Sequence, residues 1–128
     1  MSKSNKKKIL LVDDDTISME LAKIILQEEY EVTTAGSGNE ALTLLLNNYK
    51  PDLVLLDVIM PELSGWETYN RIRGISLLCN VPIAFLTTLT AFEGFEQAKK
   101  LGAADYITKP FDNVDLLERV AKMVSITV

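Results

Sequence analysis

Short apolar runs alternate with segments of helical periodicity along the whole chain, and this alternation restricts the fold more than any other feature. An uninterrupted run of about four apolar residues is typical of a strand that is buried on both faces. Three such runs stand out, and two weaker segments continue the spacing. The predicted strands are 9–12, 31–35, 53–56, 83–86 and 104–108.

A helical segment follows each predicted strand. Ser37 with Glu40, and Ser64 with Glu67, have the spacing of capping boxes that begin a helix. Gly102 is typical of a helix end. The apolar residues that recur at helical spacing in the first helix are Ile17, Leu21, Ile24 and Ile25. Five βα units predict an α/β fold, with a parallel sheet, helices on both of its faces and right-handed crossovers.

The length of 128 residues fits one domain. We expect residues 1–7 to be a polar, flexible tail and residues 8–128 to be the folded domain, with too little chain after the fifth helix for an output domain. The apolar run 9–12 is too short for a signal peptide or a membrane helix. The sequence therefore predicts a cytoplasmic protein that does not bind membranes.

The composition excludes several kinds of chemistry. Histidine is absent, which removes Ser/His/Asp catalysis, Cys/His catalysis and most zinc sites. The single cysteine, Cys79, excludes a disulfide framework, and we expect it to be a small buried apolar residue. The formal net charge of −5 argues against nucleic acid as a partner.

Charged and hydroxyl side chains follow the predicted strands at their carboxyl ends, where open α/β sheets bind ligands. These residues are Asp13 and Asp14 after the first strand, Asp57 after the third, Thr87 at the end of the fourth and Lys109 after the fifth. Asp15 is expected instead to cap the first helix. Three acidic positions, a hydroxyl group and an ammonium group are thus predicted to meet at one edge of the sheet.

This set of residues suits phosphoryl chemistry with magnesium. Carboxylates that lie close together raise one another's pKa unless a cation relieves the repulsion, and Mg²⁺ prefers oxygen ligands. A carboxylate can also attack phosphorus and form an aspartyl phosphate. Lys109 can neutralise phosphoryl oxygens, and Thr87 can donate a hydrogen bond to one of them. A cis bond between Lys109 and Pro110 would help to aim the lysine side chain.

Five motifs, each at a predicted strand end, carry a resemblance to a known family. They are Val-Asp-Asp at 12–14, Leu-Leu-Asp-Val-Ile-Met-Pro at 55–61, Gly65, Leu-Thr at 86–87 and Tyr-Ile-Thr-Lys-Pro-Phe at 106–111. With these motifs the chain resembles the response-regulator receiver domains of two-component signal transduction, in the stand-alone form known from chemotaxis. The resemblance implies a flavodoxin-like (βα)5 fold, doubly wound, with the strand order 2-1-3-4-5.

The resemblance also implies a role for each residue of the site. Asp57 would be the phosphoacceptor, and Thr87 and Lys109 would contact the phosphoryl group. The magnesium ligands would be Asp13 through water, Asp14, Asp57 and the backbone carbonyl of Ile59. The phosphodonor would be a phosphohistidine on a histidine kinase or a histidine phosphotransfer protein. The chain would not be an enzyme beyond its own phosphorylation and slow dephosphorylation.

A switch follows from the same resemblance. In receiver domains phosphorylation draws a threonine toward the phosphoryl group, and an aromatic residue on the fifth strand turns inward. Thr87 and Tyr106 stand at those positions, so they would switch the surface formed by helix 4, strand 5 and helix 5 for an unidentified downstream protein. Gly94 would make the start of the fourth helix labile. One of Phe92 and Phe95 is expected on that surface, and the alternative is that both are buried.

Three residues depart from the family pattern. Thr88 is larger than the alanine or serine usual after the threonine, so it would narrow the approach of the phosphodonor. Ile59 and Leu89 are apolar where polar side chains often stand, and apolar neighbours position water poorly. We therefore expect slow self-dephosphorylation.

Two other functions are weighed against the receiver function. Asp13-x-Asp15 resembles the opening motif of aspartate-nucleophile phosphatases of the haloacid-dehalogenase type, but Ile17 stands where that motif expects threonine or valine. Thr88 mildly favours an interaction module that works without phosphorylation. The complete acidic set with Thr87 and Lys109 argues against this second alternative.

Overall fold

Five parallel strands form one sheet in the order β2-β1-β3-β4-β5 in the computed structural model, which describes residues 6–125. The strands are β1 (Lys8–Val12), β2 (Glu31–Ala35), β3 (Leu53–Leu56), β4 (Ile83–Thr87) and β5 (Asp105–Thr108). The helices are α1 (Thr16–Leu26), α2 (Gly38–Leu46), α3 (Gly65–Arg73), α4 (Phe92–Leu101) and α5 (Asn113–Ser125), with a 3₁₀ turn at Ser76–Leu78. The predicted α/β fold and strand order are confirmed.

Helices cover both faces of the sheet, which explains why residues 9–12 of β1, all of β3 and residues 83–86 of β4 are apolar. Alternate side chains of each strand point to opposite faces. Leu10, Val54 and Phe85 pack on the face covered by α2, α3 and α4, whereas Leu11 and Leu55 pack against α1 and α5. Because water reaches neither face of these strands, apolar residues are favoured at every position.

An aromatic cluster fills the core beneath α3 and α4. The ring of Phe85, which is fully buried on β4, lies 4.8 Å from the half-buried ring of Trp66 and 5.7 Å from that of Tyr69. The Tyr69 hydroxyl donates a hydrogen bond to the carbonyl oxygen of Leu101, at 2.8 Å. The partial burial of Trp66 near the start of α3 therefore joins that helix to β4.

The buried face of α1 is not the one on which most of the recurring apolar residues lie. Ile17, Leu21 and Ile24 are all exposed, and the helix instead buries Ala22 and Leu26 against the sheet. Both faces of α1 carry apolar residues at helical spacing. Ala22 and Leu26 belong to the buried cluster on this side of the sheet, so tertiary packing selects this face.

The two predicted capping boxes have different outcomes. At the start of α3, Ser64 and Glu67 exchange the reciprocal side-chain bonds of a complete capping box. At the start of α2, the Ser37 hydroxyl accepts from the amide of Glu40 as expected, but the Glu40 carboxylate accepts from the amide of Gly36. Both serines are confirmed as N-caps. At α2 the bond to the glutamate carboxylate comes from the amide of Gly36, one residue before the N-cap, instead of from Ser37 itself.

Two further predictions concern single residues. Gly102 ends α4 with a φ of 85°, a backbone conformation that glycine adopts without strain, so the predicted helix end is confirmed. Cys79 is exposed, so its prediction as a buried residue is wrong. The 3₁₀ turn buries Leu78 and leaves Cys79, the next residue, on the surface.

The ends of the chain are described only in part. Within the predicted tail 1–7, residues 1–5 lie outside the described residues, and so do residues 126–128 of the predicted domain. Lys6 and Lys7 are exposed and precede β1. None of the helices in residues 6–125 has the length and apolar character that crossing a membrane requires.

Candidate functional site

Backbone hydrogen bonds of the sheet continue one residue beyond the strands and fix the site residues at its carboxyl edge. The amide of Asp57 donates to the carbonyl of Val12 at 3.0 Å, and the amide of Lys109 donates to that of Thr87 at 2.8 Å. Asp13 is held in the same way against β2. The residues that follow β1, β3 and β5 therefore emerge side by side.

Three carboxylates meet at this edge. One oxygen from each of Asp13, Asp14 and Asp57 lies within 4.8 Å of the others. Asp13 and Asp57 are buried, with 2% and 6% of their surface exposed, whereas Asp14 is exposed. The predicted acidic cluster is thus formed, with its open side at Asp14.

The ammonium group of Lys109 enters the cluster from β5. Its Nζ lies 2.5 Å from Asp13 Oδ2 and 3.5 Å from Asp57 Oδ2, and its side chain is 9% exposed. The peptide bond between Lys109 and Pro110 is cis, as considered from the sequence. The sequence did not predict that Lys109 binds Asp13 more closely than Asp57.

The positive charge near Asp57 does not fully offset the effect of burial on its carboxylate. Burial raises the pKa of Asp57 above its usual value, and neighbouring Asp13 raises it further. The Thr87 hydroxyl and the Lys109 ammonium act in the opposite direction, but burial is the larger effect. A second cation at the cluster would therefore be stabilised by Asp57 and its neighbours.

Comparison with known proteins identifies the family. The family model of the response regulator receiver domain matches residues 9–121, which is most of the chain. The chain belongs to the response regulator receiver family. Its function is that of a phosphoacceptor in two-component signal transduction. Receiver domains typically use Mg²⁺ together with a cluster of acidic residues. Asp13, Asp14 and Asp57 form such a cluster in this chain.

Relatives of this receiver domain combine it with different outputs. The chain is 44% identical over 114 residues to a transcriptional regulatory protein, the CpxR homolog of Haemophilus influenzae, covering 88% of this chain and 48% of that protein. It is 38% identical over 112 residues to a probable cyclic di-GMP phosphodiesterase of Vibrio cholerae, covering 88% of this chain and 25% of that protein. The chain therefore spans half or less of the length of these two relatives.

Solved structures agree with this family. A putative response regulator from Chloroflexus aurantiacus superimposes with a TM-score of 0.88 at 33% sequence identity, covering 94% of this chain and 99% of that chain. The flavodoxin-like strand order that the resemblance implied is thereby confirmed for this receiver domain.

Asp15 contributes to the receiver site through its backbone. It occupies the N-cap position of α1, as predicted, but its side chain makes no capping hydrogen bond. Its amide instead donates to Asp13 Oδ1 at 2.9 Å. Asp13 is thus held by this amide at one oxygen and by Lys109 at the other.

Gly65 closes the loop after β3 onto the phosphoacceptor strand. Its amide donates to the carbonyl of Val58 at 2.8 Å. A Cβ atom here would overlap the carbonyl of Asp57 and lie 2.6 Å from Val58 Cα, so the backbone leaves no room for a side chain. The sequence placed Gly65 in a family motif, but this contact could not be foreseen from the sequence.

Residue 59 lies beside the phosphoacceptor position. The Ile59 amide is within 3.4 Å of Asp57 Oδ1, and the Ile59 side chain is 58% exposed. The role of its carbonyl as a magnesium ligand stays a prediction.

The backbone of Leu89 links the two residues assigned to the receiver switch. The Leu89 amide donates to the hydroxyl of the fully buried Thr87 at 3.2 Å, and the Leu89 carbonyl accepts from the Tyr106 hydroxyl at 2.7 Å. The Tyr106 side chain is half-buried, and its ring lies 4.4 Å from that of Phe95. Phe92 and Phe95 are both exposed, by 72% and 40%, whereas one exposed ring was predicted. Sequence reasoning missed the Leu89 link because backbone groups carry no residue-specific signal.

Proposed function

We propose that the Asp57 carboxylate of this receiver domain accepts a phosphoryl group from a phosphohistidine of a histidine kinase or a histidine phosphotransfer protein. The observation that carries this proposal is the meeting of Asp13, Asp14 and Lys109 around the buried Asp57. One Asp57 oxygen forms a bond to phosphorus while the bond from phosphorus to the donor imidazole nitrogen breaks. The imidazole takes up a proton as it leaves.

The oxygen donors at the sheet edge fit Mg²⁺, which would neutralise charge on the phosphoryl oxygens. We assign the protein ligands to Asp13 through water, Asp14, Asp57 and the Ile59 carbonyl. Lys109 neutralises charge from the β5 side, and the Thr87 hydroxyl donates to a phosphoryl oxygen. Lys109 must loosen its contact with Asp13 to do so, and a cation beside Asp13 favours this exchange.

The signal leaves the site through Thr87 and Tyr106. When the Thr87 hydroxyl turns toward the phosphoryl group, its hydrogen bond from the Leu89 amide breaks. The carbonyl of the same residue accepts the hydrogen bond from the Tyr106 hydroxyl, so Leu89 connects the two side chains. A downstream protein then reads the surface formed by α4, β5 and α5. The link through Leu89 supports this proposal because it joins both residues by hydrogen bonds.

The other functions weighed from the sequence have less support. A phosphatase with Asp13 as nucleophile is not favoured, because Asp13 is occupied by Lys109 and by the Asp15 amide. We propose that the chain turns over no substrate other than its own phosphoryl group. Cytoplasmic location and the absence of nucleic-acid and membrane partners stay predictions.

Phosphorylation with a small donor tests the proposal. Incubation with acetyl phosphate and Mg²⁺ is expected to add the mass of one phosphoryl group to the intact protein, and alkali is expected to remove it, as for an acyl phosphate. A chelator that removes Mg²⁺ should prevent the gain. No gain in mass with acetyl phosphate or with a phosphorylated histidine phosphotransfer protein would contradict the proposal.

Replacing Thr88 by alanine is expected to speed up phosphorylation by a factor of about 2–10, equivalent to about 0.4–1.4 kcal/mol of activation free energy. The exposed Thr88 side chain lines a cavity of about 350 Å³ together with Lys109, which contacts Asp57, so we expect Thr88 to narrow the approach of the phosphodonor. Its removal widens that approach. The rate of mass gain measures the effect, and Thr90→Ala in the same loop is the matched control. An unchanged rate would mean that Thr88 does not narrow the entry.

The phosphorylated protein is expected to lose its phosphoryl group slowly, with a half-life of minutes or longer. The exposed Ile59 and the half-buried Leu89 offer no polar group to orient an attacking water molecule. Ile59→Asn should shorten the half-life, whereas Ile24→Asn, which changes an equally exposed isoleucine on α1, should not. Intact mass against time after removal of the donor measures both, and a wild-type half-life of seconds would contradict the expectation.

A further inference from the structure

The hydroxyl of Tyr106 lies beneath the first turn of α4, against Gly94. Its hydrogen bond to the Leu89 carbonyl, at 2.7 Å, holds it there. Gly94 is buried, although its neighbours Glu93 and Phe95 are exposed. The start of α4 therefore packs on Tyr106 of β5 through the one residue of this turn that has no side chain.

No other residue fits position 94 while Tyr106 keeps this orientation. A Cβ atom at Gly94 would lie 2.5 Å from the Tyr106 hydroxyl oxygen, a distance that real Cβ atoms essentially never show. Leu89 Cδ2, at 3.0 Å, is the end of a flexible side chain and can rotate away. The Tyr106 oxygen is the end of a rigid ring, so it can move away only if the whole ring turns and its hydrogen bond to Leu89 breaks.

We propose that Gly94 is a positioning residue of the switch, because its missing side chain provides the space that the Tyr106 hydroxyl occupies. A side chain at position 94 forces Tyr106 into another orientation and breaks its bond to Leu89. Since Leu89 also binds the Thr87 hydroxyl, the size of residue 94 sets how strongly the phosphoryl site is coupled to the α4 surface. This inference rests on the switch role proposed above for Thr87 and Tyr106.

The geometry replaces the sequence-based explanation of Gly94. The sequence suggests that glycine weakens the start of α4, and in that case alanine should simply stabilise the helix. The contact with Tyr106 predicts the opposite sign. The two explanations can therefore be separated by one substitution and its double variant.

A double-mutant cycle tests the contact. Gly94→Ala is expected to lower the urea midpoint of unfolding by about 0.5–1 M, because the added methyl group displaces Tyr106. In the Tyr106→Phe background, which lacks the colliding oxygen, the same Gly94→Ala change should raise the midpoint through helix propensity. Gln97→Ala is the control, because Gln97 lines a surface groove together with Gly94 and Leu89 and the change adds no atom. The same sign in both backgrounds would overturn the proposal.

The orientation of Tyr106 is measured separately, because a purely structural role of Gly94 would leave it unchanged. In protein labelled with fluorotyrosine, the ¹⁹F resonance of Tyr106 is assigned from Tyr106→Phe. Gly94→Ala should move this resonance and reduce its shift on phosphorylation to less than half of the wild-type shift. An unmoved resonance, or a full shift on phosphorylation, would show that Leu89 and α4 absorb the methyl group and that Gly94 does not position Tyr106.

The outcomes also separate this inference from the proposed function. If wild-type protein gains no phosphoryl mass, the proposed function fails, while the sign reversal in the cycle is still measurable. If Gly94→Ala gains the phosphoryl mass as the wild type does but shows no reversal, only the role of Gly94 fails. Should Gly94→Ala alone not fold, the double variant with Tyr106→Phe is expected to fold and to be at least as stable as Tyr106→Phe.

Discussion

Asp57→Asn is expected to abolish phosphorylation by acetyl phosphate and Mg²⁺, with a loss in rate of at least about 10³-fold. The amide keeps the size of the carboxylate but is a far weaker nucleophile and lacks the charge that attracts a cation. Asp52→Asn is the matched control, because Asp52 lies at the opposite end of β3, where its carboxylate accepts from the Lys8 amide. The control should gain the full phosphoryl mass.

Loss of folding would not explain this result. Burial and Asp13 raise the pKa of Asp57, so its charged form is less stable in the folded than in the unfolded protein. Near neutral pH, replacing this charge with a neutral amide is therefore expected to leave the urea midpoint unchanged or to raise it. Mass gain in Asp57→Asn at the wild-type rate would refute the assignment. Hydrolysis of a phosphate ester that requires Asp13 and survives Asp57→Asn would favour the phosphatase alternative.

Gly65→Ala is expected to destabilise the fold by about 2–4 kcal/mol, because its methyl group meets the backbone of Asp57 and Val58 in the loop after β3. Backbone atoms cannot rotate aside, and the bond from the Gly65 amide to Val58 must lengthen. Gly36→Ala is the control, since the nearest atom to its new methyl group is the end of the Glu40 side chain, at 3.4 Å.

The same substitution should also slow phosphorylation. Val58 follows Asp57 directly, so a displaced loop moves the phosphoacceptor relative to Lys109. Urea unfolding measures the stability, and the rate of mass gain at low temperature measures the site in the folded fraction. A stability within about 0.5 kcal/mol of wild type, with an unchanged rate, would show that the loop shifts without cost.

The sequence was most informative where one physical requirement acts alone. Strands β1, β3 and β4 are buried on both faces, and only uninterrupted apolar runs satisfy that condition. Asp13 and Asp57 directly follow two of these runs, which is why they could be predicted to lie together. The N-caps Ser37 and Ser64 were equally easy to predict, because an N-cap depends only on neighbours within one turn of the helix.

Prediction was weaker where contacts with distant segments of the chain decide between arrangements that the local sequence allows equally. Two faces of α1 are apolar, and only packing on the sheet selects the one with Ala22 over the one with Leu21. The contact of Lys109 with Asp13 depends on a long, flexible side chain. Gly65 lacks a side chain because the loop after β3 approaches it, and Gly94 lacks one because Tyr106 of β5 approaches it. Neither approach is visible in the local sequence.

The chain contains one tryptophan, Trp66, which lies next to Gly65 and against the ring of Phe85. Light absorbed at the red edge of the aromatic band therefore excites a single indole, and its emission comes from one known place beside the phosphoacceptor loop. Metal titrations and phosphorylation kinetics can accordingly be recorded optically on the unmodified protein, without dyes or engineered labels.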